Sequence, residues 1–250
     1  MGKLKEKNLG GAALLTTASP FAYEEAYKTL RTNLSFASIR KQYKKIIITS
    51  AIPNEGKSTV AVNLAMTLAE SGARVLLIDC DLRNPTMRRL LRVRSDLKAG
   101  LTSLLTGEAP AKECIIRHSK MKCDLLLAGA IPPNPVELLS SPQMDILLTQ
   151  LSKIYDYIIC DTPPVSVVTD AAALSRFCDG VILVVRQKLS TRDQVHTAKR
   201  NLDTVQANII GTILSCYDMA NDTQAANPYY GGYYHYGSEG AKGKRMKQYD

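Results

Sequence analysis

Residues 44–59 read Lys44-Lys45-Ile46-Ile47-Ile48-Thr49-Ser50-Ala51-Ile52-Pro53-Asn54-Glu55-Gly56-Lys57-Ser58-Thr59, and this stretch decides the fold. The isoleucine run suits a strand buried on both faces. From Ala51 to Ser58 the chain has the spacing of a phosphate-binding loop, with Ala51 in place of the first glycine. Residues 57–71 then read as a helix that closes at Gly72. Strand, loop and helix in this order gather backbone N–H groups and the positive end of a helix dipole around a phosphate. Gly56 lets the backbone approach closely, and Lys57 can reach the β- and γ-phosphates. Ser58 is placed to ligate Mg²⁺, and Thr59 lies nearer the α-phosphate, while Pro53, Asn54 and Glu55 complete the loop. The expected ligands are ATP and Mg²⁺.

Outward from this loop, apolar runs alternate with helical patterns. RVLLIDCD (74–81), CDLLLAG (123–129), YDYIICD (155–161), DGVILVV (179–185) and NIIGTIL (208–214) read as further strands. Residues 22–41, 142–153, 169–177 and 191–206 read as helices, and 84–123 as helical and loop-rich. Continuous apolar runs predict an α/β domain, a mainly parallel P-loop NTPase-like sheet with helices on both faces. Ligands of such sheets sit beyond the carboxyl ends of the strands. Two strands end in acid there: Asp79-Cys80-Asp81-Leu82-Arg83 and Asp161-Thr162-Pro163-Pro164. One such acid is commonly a helix cap or turn residue. Three beside a phosphate loop point instead to Mg²⁺ held by Ser58, Asp81 and Asp161, with a carboxylate left to accept a proton. Asp79 is the first candidate for that base and Asp81 the second.

The 250 residues are 45% hydrophobic and 22% charged, which suits a globular chain and excludes wholesale disorder. No apolar run approaches the roughly 18 residues of a membrane span. The first 20 residues lack the apolar core of a signal peptide, and Glu6 breaks the myristoylation pattern. The six cysteines form no CxxC pair and read as free thiols of a reducing cytosol. A net charge of +9 suits an anionic partner, but the basic residues fall in short scattered clusters that read as solvated faces, so no nucleic-acid partner is expected. The chain divides into an N-terminal arm (1–20), one domain (21–216) and a tail (217–250) rich in Gly and Tyr, then basic, which reads as disordered.

Together these residues resemble the bacterial tyrosine kinases of capsular and exopolysaccharide systems. The resemblance rests on the loop with Pro53, on the apolar-Asp-x-Asp-x-Arg segment ending at Arg83, on the apolar-Asp-x-x-Pro segment at Asp161, on LLLAGAIPPNPVELL (125–139) and on the tyrosine tail. It covers nearly the whole chain. It implies an ATP-dependent protein-tyrosine autokinase that governs polysaccharide synthesis and export. It further implies a split form in the cytoplasm, recruited to the membrane by a transmembrane activator, opposed by a cognate tyrosine phosphatase, and assembled as a homo-oligomeric ring. The ring motif of the family, Glu-x-x-Arg-x-x-Arg, is matched by Glu25, Lys28 and Arg31, with Lys28 in place of the first arginine. A solvated helix face with ion pairs three residues apart fits the same residues equally well.

Six of the twelve tyrosines lie in residues 227–250 of the tail, and Tyr229, Tyr230, Tyr233, Tyr234 and Tyr236 are the candidate phosphoacceptors. About 15 residues separate the last strand from Tyr229, a reach of up to roughly 50 Å. The domain radius of gyration is expected to be about 18 Å, so the tail can enter its own site or a neighbour's. Two other readings stay open on sequence: a partition- or cell-division-type ATPase, and a nucleotide-regulated scaffold whose tail is a binding segment. Against the first, the early loop positions Ala51 and Ile52 carry no second lysine.

Overall fold

The structure, a computed structural model, describes residues 14–39, 41–93 and 99–218. In chain order it comprises α1 (Phe21–Ala37), β1 (Lys45–Ser50), α2 (Lys57–Glu70), β2 (Val75–Asp79), α3 (Met87–Leu90), α4 (Leu101–Leu105), α5 (Ala111–Cys114), β3 (Ile115–His118) and β4 (Cys123–Leu126). There follow α6 (Pro135–Leu139), α7 (Pro142–Leu151), β5 (Tyr157–Asp161), α8 (Asp170–Ser175), β6 (Gly180–Arg186), α9 (Arg192–Thr204) and β7 (Ile209–Ser215). The seven strands form one sheet in the order β3-β4-β2-β5-β1-β6-β7, parallel except for β3, which runs antiparallel to β4 at one edge. The mainly parallel α/β sheet read from the apolar runs is therefore the observed fold.

Each inner strand divides its side chains between two cores, as a period of two requires. Ile46, Ile48, Leu77, Ile159, Ile182 and Val184 pack with α2 and with Leu34 of α1. Ile47, Leu76, Ile78, Ile158, Cys160, Val181 and Leu183 pack with residues of α7, α8 and α9 on the other face. Helix α2 follows the phosphate loop and is sandwiched between the sheet and α1. This explains why most of its side chains are buried, including the polar Asn63 and Thr67. Asn63 is satisfied there by donating to the Tyr23 hydroxyl (3.0 Å) and accepting from the Leu15 N–H (2.9 Å). The end of the stretch read as an arm is thus anchored: Leu14 packs on the core and Leu15 bonds to α2.

Two elements depart from the sequence reading. Strand β3 lies inside the stretch read as helical and loop-rich; its four residues, IIRH, are too short to carry a periodic signal. Strand β7 is an edge strand, and Gly211, Thr212 and Leu214 are exposed despite its apolar sequence. Among the described residues all six cysteines are unpaired, four of them buried, in line with the free-thiol reading. No helix among these residues is long and apolar enough to cross a membrane.

Candidate active site

Strands β2, β5 and β1 are neighbours, and their carboxyl ends carry the two acidic segments and the phosphate loop. Asp79 is the register partner of Asp161, and Asp161 is also that of Ile48. Pairing continues past the strand ends, with the Cys80 N–H donating to Asp161 O (2.8 Å) and the Thr162 N–H to Ile48 O (3.1 Å). The convergence expected from three strand ends is the observed geometry.

Lys57 sits at the centre. Its Nζ lies 3.5 Å from Asp81 Oδ2 and 3.6 Å from Asp161 Oδ1, and donates to Ser58 Oγ at 3.2 Å. Burial pulls its pKa down, but the charges of Asp161, Asp81 and Asp79 outweigh that and hold it above the ordinary lysine value. On the carboxylates burial acts in the opposite sense, disfavouring the charged form by raising the pKa. Burial, reinforced by the charge of Asp161, pushes Asp79 up to about 8. Asp161 is also raised, by burial first, against the pull of Lys57. Asp79 is held by two backbone donors, Asp81 N–H at 3.2 Å and Met87 N–H at 3.4 Å, while Asp81 accepts from the Asn84 N–H at 3.0 Å.

The phosphate loop is pinned from outside. Asn54 (φ 67°) and Gly56 (φ 89°) both adopt left-handed backbone, which lets the chain turn into α2. The first ladder bond of α2 runs from the Val60 N–H to Gly56 O, so the N–H groups of Lys57, Ser58 and Thr59 precede the ladder and face a ligand. The Glu55 side chain, read from the sequence as completing the phosphate loop, lies fully buried away from such a role. It accepts from the Ile52 N–H (2.7 Å) and from the Ser190 hydroxyl. Arg186 Nη1 donates to Asn54 O at 2.9 Å, and Ser215 Oγ to Glu55 O at 2.6 Å. None of Arg186, Ser190 and Ser215 belongs to a motif, and nothing local in the sequence marks them. Ala51 is fully buried, where a small side chain is tolerated.

The donor set fits a nucleotide–Mg²⁺ pair. Asp161 Oδ1 is buried and accepts no hydrogen bond, its ion-pair partner Lys57 Nζ standing 3.6 Å away, so it keeps acceptor capacity within the cluster around Lys57. Among the described residues no group of three or more His, Cys, Asp or Glu forms a protein-only metal cage. Mg²⁺ is ordinarily bound by one or two carboxylates plus substrate phosphates, which matches Asp81, Asp161 and Ser58.

On helix α1, Lys28 pairs with Glu25 at 2.7 Å, both side chains exposed, and Arg31 Nη1 donates to Thr67 O of α2 at 3.1 Å. Within one chain this is a helix-face ion pair plus a strut between helices. The candidate phosphoacceptors Tyr229, Tyr230, Tyr233, Tyr234 and Tyr236 lie outside the described residues. The root of the tail is described: Asp218 bonds to Lys188 Nζ (3.1 Å) and its N–H donates to Gln187 Oε1 (2.6 Å), at the edge where the phosphate loop sits.

A parallel sheet with a lysine-bearing phosphate loop and two acidic strand ends defines a P-loop nucleotide-binding protein, and the AAA domain family matches residues 43–213. Tyrosine-protein kinase YwqD of Bacillus subtilis is 40% identical over 207 residues, which span 83% of this chain and 86% of that protein. Tyrosine-protein kinase CpsD of Streptococcus agalactiae is 35% identical over 221 residues, 88% of this chain and 93% of that one. Among solved structures, the kinase domain of Escherichia coli tyrosine kinase ETK superposes with a TM-score of 0.73 at 37% identity, over 76% of this chain and 74% of that one. The septum site-determining protein MinD of Pyrococcus horikoshii, solved with Mg-ADP, superposes at 0.58 with 26% identity, over 68% and 69%. The chain belongs to the bacterial tyrosine kinase family, within the AAA domain class.

Proposed function

We propose that this protein is an ATP-dependent tyrosine kinase that phosphorylates the tyrosines of its own tail, in a neighbouring molecule, and thereby regulates capsular or exopolysaccharide synthesis. The observation that carries the reading is the cluster of Asp79, Asp81 and Asp161 around Lys57 at the mouth of the phosphate loop. In the reaction a tyrosine oxygen bonds to the γ-phosphorus of ATP, the bond from that phosphorus to the β-bridging oxygen breaks, and ADP leaves. A phenol with a pKa near 10 needs a base. Asp79 is proposed to take the phenolic proton, because a carboxyl raised to about 8 is matched to proton transfer near neutral pH. Lys57 and the N–H groups of Lys57, Ser58 and Thr59 stabilise the transferring phosphoryl charge. Ser58, Asp81 and Asp161 would hold Mg²⁺, which when bound neutralises charge on the β- and γ-phosphates.

The rival ATPase reading lacks a use for a tyrosine-rich tail rooted at the active-site edge. A membrane-bound activator and an opposing phosphatase are partners proposed from the family resemblance, as is a ring built through Glu25, Lys28 and Arg31. So is recruitment to the inner face of the membrane. The test of transfer between molecules mixes a Lys57→Met protein, intact in its tail, with an active protein truncated after Asn227. Phosphotyrosine on the inactive partner is the expected result. An unlabelled partner, beside full-length protein that labels itself at a rate independent of concentration, would place transfer within one chain.

A further inference from the structure

Arg83 ends the Asp79-x-Asp81-x-Arg83 segment, and nothing in the mechanism above uses it. In the structure two of its nitrogens are engaged by one carboxylate: Nε donates to Asp170 Oδ2 at 2.8 Å and Nη2 to Asp170 Oδ1 at 3.0 Å. Asp170 is the first residue of α8 and is fully buried, whereas the Arg83 side chain is 40% exposed. The contact is therefore a planar two-point bond whose far end is embedded in the fold, and such a bond fixes orientation as well as distance.

Its place in the fold gives it meaning. The segment after β2 carries Asp81, and the segment after β5 begins at Asp161. Their strand pairing ends with the Cys80 N–H on Asp161 O. Beyond that point the β5 side is secured independently: the Val165 N–H donates to Ser50 O, and Asn201 Nδ2 of α9 donates to Val165 O at 3.1 Å. The Asp81 side is linked across to it by Arg83. Asp81 and Asp161 approach Lys57 from these two segments at nearly equal distances, 3.5 and 3.6 Å. Mg²⁺ requires near-ideal octahedral geometry at about 2.0–2.1 Å, so a small shift of one carboxylate relative to the other degrades the site.

We propose that the Arg83–Asp170 pair is a positioning tether that sets the spacing of Asp81 and Asp161 for Mg²⁺, and that Arg83 is not a phosphate ligand. The proposal rests on the reading of this cluster as a nucleotide–Mg²⁺ site, but not on tyrosine being the acceptor. Support groups of this kind typically change metal affinity about 10–100-fold when altered. The experiment uses the full chain with Arg83→Lys, Asp170→Asn and both together, each first checked for folding by thermal melting without nucleotide. Binding of a fluorescent ADP is measured in EDTA and then across a Mg²⁺ titration. Phosphotyrosine formation is followed in parallel.

In EDTA all variants are expected to bind ADP within about twofold of the parent, because the phosphate loop is untouched. The Mg²⁺ concentration at half effect is expected to rise about tenfold in each single variant, with no further rise in the double. Unchanged Mg²⁺ dependence in both single variants overturns the proposal. So does loss of phosphoryl transfer in Arg83→Lys while Asp170→Asn behaves as the parent, since Arg83 would then act on the phosphate directly. Should Asp170→Asn fail to fold, Arg83→Lys keeps a cation beside the buried acid, and its Mg²⁺ titration decides alone. Absence of phosphotyrosine in the parent would count against the kinase reading and leave the ADP–Mg²⁺ comparison intact.

Discussion

Replacing Glu55 by alanine tests whether the phosphate loop is preset by its supports. The carboxylate is fully buried and accepts from the Ile52 N–H and the Ser190 hydroxyl; Ser190 in turn accepts from the Arg186 N–H at 2.9 Å. Hydrogen bonds to a charged group contribute roughly 1.5–3 kcal/mol each, and the Ile52 N–H would be left without its acceptor. Allowing for water entering the space, the expected loss of folding stability is about 3 kcal/mol. The loop amides would then have to be ordered at the moment of binding, which is expected to raise the dissociation constant of ADP about tenfold, or roughly 1.4 kcal/mol. Glu55→Gln keeps the shape and one carbonyl acceptor, and is expected to stay within about 1 kcal/mol of the parent in stability. Urea unfolding and titration with a fluorescent ADP measure the two effects separately. A folded Glu55→Ala protein that binds ADP like the parent would refute the idea that this buried acid presets the loop.

Three further predictions follow from the site and from helix α1. Asp79→Asn is expected to suppress phosphoryl transfer far more than ADP binding, whereas Asp161→Asn weakens the Mg²⁺ dependence; equal and complete loss of ADP binding in both would argue that neither is a base. For pH, the folded protein in EDTA holds a proton on Asp79 up to about pH 8, while the unfolded chain releases it near the ordinary value of 3.8. The stability linked to that proton is present below about pH 4 and is lost as pH rises through 8, at up to roughly 1.4 kcal/mol per pH unit. Asp79→Asn should flatten this slope in urea titrations at pH 5, 7 and 9, and an unchanged slope would show that Asp79 is ionised throughout. Finally, Glu25→Ala with Lys28→Ala removes an exposed pair and leaves the Arg31 strut on Thr67 in place, so a shift toward monomer in light scattering would mark an intermolecular contact. An unchanged mass distribution would leave the pair as an ordinary helix-face contact, worth only a few tenths of a kcal/mol.

The placement of the site residues was legible because it is local. Gly56, Lys57 and Ser58 follow an apolar strand, Asp79 and Asp161 each end one, and Asp81 follows two residues after Asp79, so strand position alone brought them to a common edge. The supports were not legible because each depends on a partner far along the chain. Ser190 reaches back 135 residues to Glu55, Ser215 reaches 160, and Arg83 finds Asp170 at a separation of 87. In the sequence Asp170 looks like an acid in the first turn of a helix, a role satisfied by the dipole alone. Glu55 looked like part of the phosphate cradle because its neighbours are; only the fold turns its side chain toward Ser190. Strand β3 is not legible in the sequence because a four-residue antiparallel edge strand has too few positions to display a period.

The most direct measurement of the central claim incubates the purified full chain with ATP and Mg²⁺ and maps phosphotyrosine by mass spectrometry, beside a Lys57→Met control. The cluster around Lys57 predicts phosphate on tyrosines of residues 229–236 in the parent, and none in the variant, whose melting curve without nucleotide should show a folded protein. Labelling that persists in Lys57→Met, or a parent that turns over ATP and never acquires phosphotyrosine, would contradict the assignment of this site as a tyrosine kinase centre.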